Sequence, residues 1–71
     1  AIETAKQMMR EIFTGPYEVS VIAGLTPTEH KAALWMNRRL GFKTMGTVET
    51  VEGDHETVIL TKSMWENTDY E

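Results

Sequence analysis

A chain of 71 residues with 41% apolar side chains and no cysteine allows one small globular domain and excludes any disulfide staple or thiolate chemistry. Eleven acidic against seven basic side chains give a net charge of −4, and Arg38-Arg39 is the only adjacent basic pair, so the clustered positive surface of a nucleic-acid binder is missing. No apolar run approaches the ~20 residues of a membrane span, and the N-terminus lacks the basic-then-apolar pattern of a signal peptide.

Ile2, Ala5, Met9, Ile12 and Phe13 recur at spacings of three and four, with Met8 beside them and Lys6, Gln7, Arg10 and Glu11 opposite. This predicts an amphipathic helix of about three turns, stopped at Gly15-Pro16. Tyr17 to Ala23 is rich in β-branched residues and reads as a strand, with Val19, Val21 and Ala23 on one face and Glu18, Ser20 and Ile22 on the other. Thr26 to Leu40 reads as a capped helix. Thr26 is placed as N-cap, Pro27 at the first helical position, and Glu29 completes a capping box. Gly41 is placed to end it in the left-handed conformation, with Phe42 folding back onto the last turn. Beyond Phe42 the pattern is extended, and Thr47 to Val51 and Glu56 to Lys62 flank Gly53-Asp54 as a hairpin turn. From Ser63 onward no periodicity is visible, although Met64 and Trp65 are large enough to dock.

The expected domain is thus residues 1–62, with 63–71 a poorly structured tail. Its fold class is α/β, ordered helix-strand-helix-strand-strand, a small mixed sheet with two helices. A helical crossover makes the first two strands parallel, and the hairpin adds an antiparallel one. Three strands leave two sheet edges open, so the expectation is a homo-oligomer or a partner chain that completes the sheet. Absence of cysteine fits a reducing, cytoplasmic setting. Ala1 fits either removal of an initiator methionine or a piece of a longer chain.

Other chemistry is thinly represented. His30 and His55 sit on different expected elements with no cysteine nearby, short of the converging ligands that zinc needs. Ser20 and Ser63 have no acid or histidine at a spacing that suggests a nucleophile. Glu49, Glu52, Asp54 and Glu56 gather at the hairpin, where a solvated edge explains them more simply than paired catalytic carboxylates. The five methionines read as core filler. Trp35, mid-helix, is assigned to the core, with an interface anchor as the alternative.

The run from His30 to Phe42, followed by Lys43-Thr44-Met45-Gly46, resembles the last conserved helix and strand of the GCN5-related N-acetyltransferases. Their pattern there is an Asn, a small or apolar helical stripe, a Tyr, then Gly-Phe opening the next strand. On this resemblance Ala1 to Phe13 matches the helix after the family's cofactor loop. Tyr17 to Ala23 matches its fifth strand, and the hairpin of Val48 and Leu60 its last two. Nearly the whole chain is covered, as the C-terminal half of such a domain. The resemblance implies acetyl-CoA as cofactor and an amine as acceptor. The family's pyrophosphate loop, Arg/Gln-x-x-Gly-x-Gly/Ala, is not found among these residues. It also makes His30 and Asn37 the cofactor-contact positions, standing where the family has Asn and Tyr. That Tyr acts as general acid toward the departing thiolate, a proton that an Asn37 amide cannot supply. The resemblance therefore implies an acetyltransferase-like domain acting as a non-catalytic structural or interaction module. One specific form is virion-associated, as in the small acetyltransferase-like proteins of short-tailed phages. Two alternatives stand beside it: a fragment of an active N-acetyltransferase, and an unrelated small α/β binding domain.

Overall fold

In the computed structural model, which describes residues 2–68, the first helix, α1, spans Ile2–Thr14. Phe13 is buried, and Ile2, Ala5, Met9 and Ile12 are half-buried, as the three-four spacing requires. Met8 stands outside this stripe and is exposed.

The first strand, β1, spans Val21–Pro27, starting and ending later than the β-branched run suggests. The second helix, α2, spans Lys31–Leu40, with His30 at its N-cap and no side-chain cap bond. The expected capping box therefore does not form. Thr26 and Pro27 end β1 opposite Glu56 and His55, and the Thr28 amide and hydroxyl both donate to the Asp54 carbonyl, at 3.0 and 3.3 Å. A ladder with a distant strand satisfies backbone groups that a local cap would otherwise hold, so tertiary pairing overrides the local signal. The far end behaves as expected. Gly41 adopts φ +97°, its amide donates to the Arg38 carbonyl, and the Phe42 amide reaches the Asn37 carbonyl at 2.9 Å. This pair of bonds is the Schellman stop.

The second and third strands, β2 at Lys43–Thr50 and β3 at Gly53–Thr61, form the expected hairpin. Its turn is Val51-Glu52 rather than Gly53-Asp54, because Thr50 already pairs with Gly53. The Thr50 hydroxyl donates to the Gly53 carbonyl and accepts from the Glu52 amide, closing the turn locally. The sheet order is β1-β3-β2, with both neighbouring pairs antiparallel. The first two strands do run parallel to each other, but β3 lies between them, so both ladders are antiparallel and the sheet is not the mixed one expected.

A short third helix, α3, spans Lys62–Glu66, where the sequence suggested the end of a strand and a tail in which Met64 and Trp65 could dock. Thr61 caps it by accepting from the Met64 amide at 3.0 Å, and Trp65 stacks on Phe13 with ring centroids 5.3 Å apart. The last residues of the expected tail, 69–71, lie outside the described residues. Phe13, Leu34, Leu40, Val58 and Leu60 make up the buried core, with Leu60 fully enclosed. Register puts Ile22, Thr26, Val58 and Leu60 on the sheet face that α2 covers, and Val21, Ala23 and Leu25 on the opposite, open face, where all three are exposed.

Candidate functional site

The residues singled out in the sequence meet the fold at the junction of β1 and α2. Asn37 lies on the α2 face turned to the sheet. Its Nδ2 donates to Thr26 Oγ1 at 2.9 Å, in a half-buried position. That bond ties the middle of the helix to the end of the strand. It also fixes the amide in one orientation, because a part-buried polar group that has found a partner pays to leave it. Thr26 was read as a cap from its local spacing. Its actual role, eleven residues away from its partner, carries no periodic signal.

His30 is exposed at the helix start, where its carbonyl accepts from the Leu34 amide and its own amide donates to the Pro27 carbonyl. Seven residues separate it from Asn37, nearly two full helical turns, or about 10 Å along the axis. The two positions therefore share a side of α2 without converging on one small site. His30 can offer an imidazole to a ligand approaching the first turn of α2. Asn37 can offer amide hydrogen bonds, but no transferable proton.

The other residues weighed from the sequence stay apart. His55 Nδ1 contacts the Gly53 carbonyl at 3.1 Å and Thr50 Oγ1 at 3.4 Å, an arrangement internal to the hairpin. Ser20 ends its role in the backbone, its carbonyl accepting from the Lys62 amide at 2.8 Å. Among the described residues no group of three or more His, Asp or Glu side chains is placed to hold a metal. No helix among them is long and apolar enough to cross a membrane. Trp35, assigned to the core from its sequence, is instead 54% exposed, with the Arg39 guanidinium 5.5 Å from its ring centroid. The i,i+4 spacing on a helix was the available signal for that cation–π pair. Met45 also leaves the core, exposed on β2.

No family model matches the chain, and no curated protein matches it significantly. Among solved structures, the arrangement superposes on that of the aminoglycoside acetyltransferase AAC(6')-Ib in complex with coenzyme A and kanamycin, with a TM-score of 0.79 over 94% of this chain. The fold is that of part of an acetyltransferase domain. Sequence identity is 24%, and the chain spans 38% of that protein's length. Within this fold, α2 follows His30 and carries Asn37, and it ends at the Gly41-Phe42 turn into β2.

Proposed function

We propose that this chain is an acetyltransferase-like unit that serves as a structural and interaction module and does not transfer acetyl groups by itself. The observation that carries this reading is the Asn37 side chain. It stands where the resemblance implies a proton-donating Tyr, and its amide is held by Thr26 at 2.9 Å. An amide so held braces α2 against β1, which is a structural role. A thiolate leaving group needs a proton donor within reach, and an amide does not ionise to provide one.

Titration calorimetry of acetyl-CoA into this chain, together with a thiol-release assay using simple amines and kanamycin as acceptors, tests the reading. The expected result is no micromolar binding and no thiol released above the background without protein. Micromolar affinity for acetyl-CoA, or turnover with any of these amines, overturns it.

One observation favours a second reading, a portion of a longer, active N-acetyltransferase: the fold match covers 94% of this chain but 38% of the aminoglycoside enzyme. In that case α2 would contribute cofactor contacts from His30 and Asn37, while the pyrophosphate of acetyl-CoA would be held by residues outside this sequence. The coding sequence immediately upstream of Ala1 distinguishes the two. A glycine-rich loop there, in frame, supports the enzyme reading.

A further inference from the structure

The one buried residue of α1 is covered by an element that buries none of its own. Phe13, in the last turn of α1, is 1% exposed, and every other residue of that helix is half-buried or exposed. Its ring is stacked under Trp65 of α3, with planes inclined by 25°. Yet α3 has no buried residue, and Met64 and Trp65 are only half-buried.

A helix of five residues is too short to stand alone, so α3 exists through its attachments. Thr61 Oγ1 accepts from the Met64 amide, and the Lys62 amide donates to the Ser20 carbonyl just before β1. Thr68, just beyond α3, donates its hydroxyl to the Met64 carbonyl at 2.8 Å and lies against Gly41, where α2 stops. The attachment to α1 is the ring stack. On its other side α1 reaches β1 through residues 15–20, which form neither helix nor strand. Pro16, Tyr17 and Glu18 are exposed there, and Glu18 holds φ +51°, a left-handed value that is strained for a residue with a side chain. So α1 has an irregular, strained joint at one side and its deepest contact, Phe13, under the least buried helix.

We propose that α3 is a releasable clasp on α1, and that the two open together as one unit while the sheet and α2 stay folded. Trp65 lifts from Phe13, and α1 turns about residues 15–20. Segments with few buried apolar contacts open at lower free energy than the core. By that measure α1 and α3 stand below β3, which is bonded on both sides and supplies Val58 and Leu60 to the core. Opening uncovers Phe13, an apolar ring that the closed form hides. The clasp is made of contacts between residues 13 and 68 alone, and it is independent of whether the chain binds acetyl-CoA.

Native-state hydrogen exchange of this chain in low urea, followed amide by amide by NMR, tests it. Protection at Met9 to Phe13 should match that at Met64 and Asn67, and both should be at least about ten-fold lower than at Val58, Ile59 and Leu60. Trp65→Ala removes the stack and should lower protection in α1 by about ten-fold or more, the usual worth of an aromatic pair, with β3 still protected. Trp65→Phe keeps a ring over Phe13 and should restore most of the protection in α1. Equal protection in α1, α3 and β3 overturns the proposal, since the unit then opens only by unfolding whole. Unequal protection of α1 and α3 overturns it too, because they then open separately. The same holds for a Trp65→Ala chain in which α1 keeps its protection, or in which β3 loses protection along with α1.

Discussion

Gly41 ends α2 with φ +97°, a value that side-chain-bearing residues adopt only under strain. The space around it is also filled, since a Cβ at this position would lie 2.9 Å from the Thr68 hydroxyl and 3.6 Å from Leu60 Cδ1. Conformation and packing thus act in the same direction. Gly41→Ala should destabilise the fold by roughly 1–2 kcal/mol from the left-handed backbone alone, with the Thr68 contact adding to it. Urea unfolding measures this, and a variant as stable as the parent would mean that the Schellman turn relaxes without cost. Asn37 shows a different residue-scale principle. Its helix spacing makes it easy to place on α2, yet what the side chain does is set by Thr26, on a strand reached only in the folded state. The chemistry of the candidate position was legible as an absence of a titratable proton. Its structural use was not.

The elements that the sequence revealed are those with a long repeating pattern or a local stop. α1 shows its three-four spacing over 13 residues, and α2 ends where glycine permits the reversal. The elements it hid depend on partners far along the chain. β1 runs through Pro27 because His55 and Glu56 pair with its end, and that pairing displaces the cap expected at Thr26. The hairpin turn falls at Val51-Glu52 because the register of β2 against β3 places Thr50 opposite Gly53. With five residues, α3 is too short to display a period, and only its cap is visible in retrospect. That cap is testable. Thr61 sits at the junction of β3 and α3, its hydroxyl accepting from the Met64 amide, and the helix it starts carries Trp65 onto Phe13. Thr61→Ala should cost about 1 kcal/mol, the usual value of an N-cap. It should also weaken the near-ultraviolet circular dichroism of the Phe13–Trp65 stack before global unfolding. An unchanged aromatic signal and midpoint would show that stacking alone holds α3.

At the scale of the whole molecule, stability rests on β3. It is the central strand, bonded to β1 on one side and β2 on the other, and it supplies Val58 and Leu60 to the core beneath α2. A chain of this length buries only about 60% of the surface it exposes when unfolded, and a core of this size supplies on the order of 3–5 kcal/mol. Nothing covalent reinforces it, since there is no cysteine. Leu60 is fully enclosed, and cutting such a side chain back to Ala costs about 2–5 kcal/mol through lost burial and the cavity left behind. That cost is comparable to the entire stability of the unit. Leu60→Ala should therefore lose its folded baseline in urea at 25 °C, with far-ultraviolet circular dichroism already reduced in the absence of denaturant. Leu25→Ala, removing an exposed side chain from the open face of β1, should shift stability by less than about 0.5 kcal/mol in the monomer, as surface substitutions do. The pair separates the two faces of one sheet: the face under α2 holds the unit together, and the open face contributes little to its stability. Equal midpoints for the two variants at low protein concentration would mean that the core is not centred on β3.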